Sequence, residues 1–296
     1  MIDAAALETR LRSGAFGDIA TAYLHRATRE TSSAVLHGRE ALLAVALAEA
    51  AALPEAALAL GFCHTNLATF ALRQDELGWR GHRWLEREGN QIIREILVED
   101  GQARMTALCV TPNGQGLAPI HAPIGELRPG YGQFAAPEAA IVPAHWPDAA
   151  RPVANIFHQI WNGRAIDRLA LLWHADANWR GPNGACGDRA ALARWLTALF
   201  AAVPDATLMF ERAIVGDGTI ALLWRLHGHQ HGHHAGWQGF GAPSGRRVRI
   251  IGSSVLKMEA GRVIDDETLI DTLAMARQLA APPIAWRAAT NERATS

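Results

Sequence analysis

The sequence predicts an α+β protein built as two tandem copies of one design. Three observations carry this prediction. In each half, helical periodicity comes first and apolar, strand-like runs follow, an order that belongs to α+β architecture. The halves also keep register: Gly14 to His25 spans the same distance as Gly163 to His174, and Leu42 to Pro54 the same as Leu192 to Pro204. Finally, a stretch rich in Pro and Gly, residues 111–152, lies between them. A repeat this long means tandem domains and not a solenoid.

Taken in order, residues Ile2 to Leu24 carry a helical pattern broken at Gly14 and Gly17. A longer amphipathic helix runs from about Arg39 to Ala52, opened by Gly38-Arg39-Glu40-Ala41-Leu42 and stopped by Pro54. Strands are expected at residues 67–73, 83–87 and 91–98, punctuated by Gly78 and the Glu88-Gly89-Asn90 turn. The second half repeats this order from Val153, with a much longer hairpin between its middle strands. Gln91-Ile92-Ile93-Arg94-Glu95 falls over Arg262-Val263-Ile264-Asp265-Asp266, and Asp100 falls on Asp271. Thr272 to Leu279 reads as a closing helix before Pro282-Pro283. The expected division is therefore 1–110, a connector 111–152, a second domain 153–282 and a tail 283–296. Antiparallel strands joined by hairpins would curve around the helices, leaving an interior pocket near the hairpin tips.

Composition excludes several function classes. The chain has 296 residues, 49% of them apolar, enough for two cores. Its 28 basic and 29 acidic residues give a net charge of −1, with no electrostatic footprint for nucleic acid or an anionic membrane. No apolar run approaches the ~18–20 residues of a membrane span, and the N-terminus lacks the apolar centre of a signal peptide. Cys63, Cys109 and Cys186 are widely spaced and odd in number, which fits reduced thiols in a cytoplasmic protein. Ten Trp against two Tyr points to apolar cavities with few hydroxyl handles.

Most of the functional signal lies between Trp224 and Asp271. His227, His229, His231 and His233 alternate, so an extended chain would place all four on one side, where imidazoles can chelate a metal. Gly228 and Gly232 loosen that strand and no carboxylate or Cys sits nearby in sequence, which favours a solvated hairpin tip and no metal. No Ser/His/Asp order, phosphate loop or CxxC pair is present.

The second half resembles the SnoaL-like polyketide cyclases, within the NTF2-like (cystatin-like cone) fold group. Trp161-Asn162-Gly163, Trp179-Arg180-Gly181-Pro182 and Gly187-Asp188-Arg189-Ala190-Ala191-Leu192 with Val203-Pro204-Asp205 resemble family segments. So do His234-Ala235-Gly236-Trp237, Gly241-Ala242-Pro243-Ser244-Gly245-Arg246 and Met258-Glu259-Ala260-Gly261-Arg262-Val263, in family order. The first half matches more faintly, through Gly38–Leu42, Leu53-Pro54-Glu55 and Glu88–Ile93, and lacks the Pro-Ser-Gly hairpin. The resemblance implies two NTF2-like cone domains, each a curved, mostly antiparallel sheet wrapped around helices. It also implies an intramolecular pseudo-dimer or a homo-oligomer, because members of this group often pair through their sheets.

The family's cyclases use no metal or organic cofactor. A carboxylate in an apolar pocket removes an acidified C–H proton, and a polar group holds the oxyanion. The resemblance points to the acids of the last strand, with Asp271 matching the family's closing Asp and Asp266 on the alternate face. Asp265, Glu267 and Leu269 share one face with Asp271, while Thr268 and Ile270 share the other with Asp266; the sequence leaves open which looks inward. Asp271 also has a second reading as the N-cap of the final helix. His234 matches a family histidine at the pocket mouth and is the third candidate catalytic residue, against a plain surface role. Trp179, Trp237, Ser254 and Thr268 are candidates for substrate binding. Trp173, Trp195 and Trp224 read as core. The sequence departs from the family at Ser254, where Asp is common, at Glu267, which replaces a Trp, and at Thr268, often acidic. Ser254 can donate a hydrogen bond but cannot act as a base alone. The expected function is cofactor-free cyclase, isomerase or dehydratase chemistry on a small apolar oxygenated molecule such as a polyketide. The alternative is a small-ligand-binding protein that kept the cone and lost the acid.

Overall fold

The structure, a computed structural model, describes residues 21–52, 59–64, 68–74, 80–101, 142–143, 146–216, 218–234 and 242–280. The start of the expected first helix, the connector through residue 141, Trp237 and the tail lie outside these residues.

The first half contains β1 (Tyr23–Glu30), β2 (Val35–His37), helix α1 (Arg39–Ala52), β3 (Ala59–His64), β4 (Ala68–Gln74), β5 (Arg80–Glu88) and β6 (Gln91–Glu99). The second contains α2 (Ala150–Trp161), α3 (Leu169–Leu172), β7 (Trp173–Arg180), β8 (Cys186–Gly187) and α4 (Arg189–Ala202). It continues through β9 (Thr207–Gly216), β10 (Thr219–His229), β11 (Arg247–Glu259), β12 (Arg262–Ile270) and α5 (Thr272–Ala280).

The two six-stranded sheets have one topology. Their strand orders, β2-β1-β6-β5-β4-β3 and β8-β7-β12-β11-β10-β9, correspond strand for strand. In each, the first long strand runs parallel to the last (β1 with β6, β7 with β12), and the other neighbours are antiparallel. The architecture is α+β, as expected, with one correction. Tyr23 and Leu24, which extend a helical pattern, begin β1. The segments YLHRATRE and WHADANWR carry no β-branched run; they are strands because β6 and β12 pair with them.

Local chemistry sets the turns. Asp188 caps α4 by accepting from the Ala191 N–H at 2.8 Å. Ala260 and Gly261, both at positive φ (47° and 77°), close the β11–β12 hairpin in the two-residue form that suits strand twist. One face of the second sheet packs on α2, α3 and α4 through Phe157, Trp161, Leu196, Leu222, Trp224 and Ile270. Trp146 joins this core and meets Phe210 edge-on at 5.5 Å. Gly252 is required beneath Trp224, because a Cβ there would lie 2.1 Å from the indole. Among the described residues, no helix is long and apolar enough to cross a membrane.

The other face meets the first sheet. Trp84, Ile96 and Val98 pack against Ile214, Ala221, Leu223, Ile251 and Leu269. Within this apolar seam, the Trp84 indole donates to Ser253 Oγ at 2.9 Å. Fully buried His82 joins Ser253 (Nδ1, 2.9 Å) to Glu267 (Nε2, 3.0 Å). An indole can only donate, so the Ser253 hydroxyl is free to donate to Nδ1 of a neutral His82, whose Nε2–H then donates to Glu267. Burial favours that neutral form by lowering the His82 pKa, while Glu267 opposes it. His82 and Ser253 are equivalent positions of the repeat, each six residues before the glutamate that ends its strand, so an approximate two-fold passes between them.

Trp84 joins both kinds of contact. Trp84→Ala is expected to lower the unfolding free energy by about 3–5 kcal/mol, the usual range for a buried large-to-small change. Urea denaturation checks this, and a loss below about 1 kcal/mol would mean that the seam is not a main source of stability.

Candidate functional site

The inward face of β12 carries Asp266, Thr268 and Ile270, and the outward face carries Glu267 and Leu269. Asp266 is 1% exposed and lies against the helix-covered core. Trp173 Nε1 donates to its Oδ2 at 2.9 Å, and Thr268 Oγ1 donates to its Oδ1 at 2.8 Å. Behind Thr268 stands Ser254 at 2.8 Å, and Trp224 Nε1 donates to Ser254 Oγ at 3.2 Å. The polarity of this chain is fixed by its ends: Trp224 can only donate, and Thr268 spends its proton on Asp266. Ser254 therefore donates to Thr268, and every hydrogen bond points toward the carboxyl.

None of these donors is charged. Burial pushes the Asp266 pKa up from its usual 3.8 to about 7, and the Thr268 and Trp173 hydrogen bonds offset this only in part. A carboxyl balanced near neutrality, with each oxygen oriented and no cation bonded to it, can both take and return a proton.

The first half places a carboxyl at the same point with the opposite outcome. Glu95 is the fifth residue of β6, as Asp266 is of β12, and is fully buried. Tyr23, the counterpart of Trp173, donates to it at 2.5 Å. Arg29 and Arg83 pair with it at 3.2 and 3.5 Å. By strand register Arg29 stands beside Glu95 as Trp179 stands beside Asp266, and Arg83 occupies the position of Ser254. Burial raises the Glu95 pKa, but the two guanidiniums outweigh it and hold the carboxyl down to about 2. Glu95 is a clamped counter-ion, whereas Asp266 is a titratable one.

The structure places Asp271 elsewhere. It follows β12, accepts from the Ala274 N–H at 3.0 Å and so caps α5. It also hydrogen-bonds Ser32 of the first half, and burial sets its pKa near 6 against those bonds. Asp100, its counterpart, accepts from Thr272 Oγ1 at 2.6 Å and from the Asn183 backbone N–H of the second half. The two matched aspartates therefore tie each half to the other. Glu267 does the same, linking to His82 and, at 3.4 Å, to Arg80.

Trp179, Ser254 and Thr268 gather around Asp266; His234 lies beyond Trp179. Trp179 is 2% exposed, meets Trp195 at a tilt with ring centroids 5.9 Å apart, and lies over Gly181, where a Cβ would meet the ring at 2.2 Å. Its indole N–H has no hydrogen-bond partner among the described residues. His234 is buried against Trp195 at 5.3 Å, and burial lowers its pKa. The four alternating histidines do not form one face, because the strand does not extend through all of them. β10 ends at His229, because the backbone of His231 and Gly232 turns to bond Ala202. His229 instead pairs with Asp205 at 2.6 Å. Among the described residues, no three His, Cys, Asp or Glu side chains gather as a metal site. Trp173 and Trp224 read as plain core in sequence, yet their indole N–H groups hold the Asp266 chain in place. The sequence register of Gly14 with Gly163 would have set Tyr23 on Leu172; only the strand pairing makes Tyr23 the counterpart of Trp173.

Comparison with known proteins bears on the second half. The family model described as a SnoaL-like domain matches residues 153–265. No curated protein matches the chain. A candidate SnoaL-like polyketide cyclase from Jannaschia sp. CCS1 is similar in structure at 19% identity, covering 49% of this chain and 100% of its own, with a TM-score of 0.42. IdmH, a candidate polyketide cyclase from Streptomyces antibioticus, is 19% identical over 46% of this chain and 100% of its own, TM-score 0.39. A protein with a ketosteroid isomerase-like fold from Catenulispora acidiphila DSM 44928 is 16% identical over 46% and 95%, TM-score 0.37.

The two carboxyls should leave opposite marks on stability. Asp266 keeps its proton in the folded state after the unfolded chain has lost it, so its contribution falls as pH rises from about 4 to about 7. Asp266→Asn is therefore expected to stabilise the protein at pH 8, by up to about 4 kcal/mol. Glu95 stabilises above its unfolded pKa, and that contribution is lost as pH falls from about 4.5 to about 2. Glu95→Gln is expected to destabilise by about 3–5 kcal/mol at neutral pH, as for a broken buried ion pair. Denaturant unfolding of both variants across pH checks the signs; equal effects would overturn the contrast.

Proposed function

We propose that the second half is a cofactor-free acid/base catalyst whose proton-transfer group is Asp266. The observation that carries this reading is the exchange around one carboxyl position: Tyr23, Arg29 and Arg83 in the first half become Trp173, Trp179 and Ser254 in the second. That exchange removes every cation bonded to the carboxyl and leaves only neutral donors. A permanently ionised, paired glutamate becomes an aspartate that is half-protonated near neutrality. The SnoaL-like match over residues 153–265 supports placing the activity in the second half, although it ends one residue before Asp266.

In this reading the substrate is a small, uncharged, oxygenated carbon acid of polyketide type. Asp266 takes a proton from carbon beside a carbonyl, and the electron pair moves onto the carbonyl oxygen as an enolate. The unpartnered Trp179 N–H, on the strand beside Asp266, donates to that oxygen. The enolate carbon then attacks a second carbonyl to close a ring, or is reprotonated at another carbon in an isomerisation. Protonated Asp266 returns its proton in either case. Trp173 and the Thr268–Ser254–Trp224 chain keep both carboxyl oxygens aimed throughout. Asp271, capping α5 and tied to Ser32, takes no part in the proton transfer. The exposed thiol of Cys186 fits a reducing, cytoplasmic setting.

The test is a panel of neutral polyketide-type diketones, followed by ring closure and by deuterium uptake at carbon from heavy water. Asp266→Asn is expected to lose about 10²–10⁴-fold in rate. The wild-type profile should rise with an apparent pKa near 7. Trp179→Phe keeps the ring and removes the N–H, so kcat should fall by about 10²-fold with KM little changed. Binding without turnover, identical in wild type and Asp266→Asn, would favour a ligand-binding protein instead.

A further inference from the structure

The outward face of the second sheet carries a basic corner in which Arg249 is bonded to no acid among the described residues. Strands β10 and β11 set His227 opposite Arg249, and His229 opposite Arg247. Arg225 lies two residues before His227 on the same face. Nearby, Arg94, Arg212 and Arg225 are matched one for one by Glu30, Glu86 and Glu211, through bonds of 2.6 to 3.2 Å. That network is neutral, and Arg249 is bonded to none of its members. Its backbone is fixed on both sides by Gln278, which accepts from its N–H at 2.8 Å and donates to its carbonyl at 2.9 Å. Its guanidinium has no hydrogen-bond or ion-pair partner among the described residues.

His227 shares this condition. It is 6% exposed, and neither ring nitrogen has a hydrogen-bond partner among the described residues. Burial, then the charges of Arg249, Arg247 and Arg225, lowers its pKa to about 4 and keeps it neutral. Arg225 and Arg247 also press on Arg249, whose pKa is lowered mainly by burial, and Glu30 and Glu211 offset this only in part. Unsatisfied buried donors and crowded like charges are both unfavourable. A single negative ligand would relieve both at once.

We infer that His227 and Arg249, flanked by Arg225 and Arg247, form a binding site for a small oxyanion, a carboxylate or a phosphate, on the face of the second sheet opposite Asp266. The guanidinium fork matches two oxygens of such a group, and the imidazole supplies a further N–H. The site lies apart from the proposed proton-transfer chain and does not depend on it.

The experiment uses the full chain, with sodium phosphate and sodium acetate titrated against sodium chloride at matched ionic strength. Thermal unfolding and calorimetry read the response. The expected result is an anion-specific rise in Tm and one binding event, with Arg249→Ala weakening the affinity by about tenfold or more. His227→Phe should weaken it in the same direction, and Asp266→Asn should leave it unchanged. In chloride alone, Arg249→Ala should unfold at the same temperature as wild type or higher, because repulsion is removed; this also shows that the variant folds. A response to acetate alone assigns a carboxylate ligand, and a response to phosphate alone assigns a phosphate. No anion-specific response, or an equal one in wild type and Arg249→Ala, overturns the site.

Discussion

A carboxyl group buried at the middle of the last strand must be either paired with cations or protonated, and this constraint organises both halves of the protein. Removing a charged carboxylate from water is costly unless a partner compensates. The first half meets the demand with Arg29, Arg83 and Tyr23 around Glu95. The second meets it by letting Asp266 hold its proton near neutrality, with two oriented neutral donors. The backbone topology is the same in both. The surroundings of the carboxyl differ through side chains alone: Trp173, Trp179, Ser254 and Thr268 stand where the first half has Tyr23, Arg29, Arg83 and Leu97.

The repeat has a second consequence. Because the copies are covalently joined, equivalent positions need not stay identical, and the seam uses that freedom. His82 and Ser253 match in the repeat yet complement each other as partners across it. Glu267 stands where the first half has Ile96, and it receives His82, Arg80 and Arg180. A single-copy protein pairing with itself would have to repeat each substitution on both sides. Asp100 and Asp271 kept their identity, because each caps or ties the opposite half in a similar way. The first half therefore serves as the support on which β12 is held, with Glu267 on one side of that strand bonded to His82 and Asp266 on the other facing the core.

Much of this was legible in sequence, and the failures have specific causes. The helices at Arg39–Ala52 and Arg189–Ala202 stood out because helical period, entry residues and a following proline are local signals. The β11–β12 hairpin stood out through Ala260-Gly261. β1 did not, because its residues are polar and its strand state comes from pairing with β6, far along the chain. Trp173 and Trp224 read as core packing because nothing in sequence shows where an indole N–H points. The alternating histidines would share a face only on a continuous strand; Gly232 does turn to meet Ala202, as a loosened tip requires, but Gly228 stays within β10 because β11 pairs with it.

By itself the sequence determined the α+β class, the tandem repeat, the match of Glu95 with Asp266 and of Asp100 with Asp271, and the resemblance of the second half to a cyclase family. These depend on spacing, periodicity and residue type, which are properties of the chain as written. Only the tertiary structure decided which face of β12 looks inward, and with it that Asp266 meets the core while Asp271 caps a helix. A strand presents two faces of equal standing until another layer covers one of them. In this protein helices cover the face of Asp266 and the first sheet covers the face of Glu267.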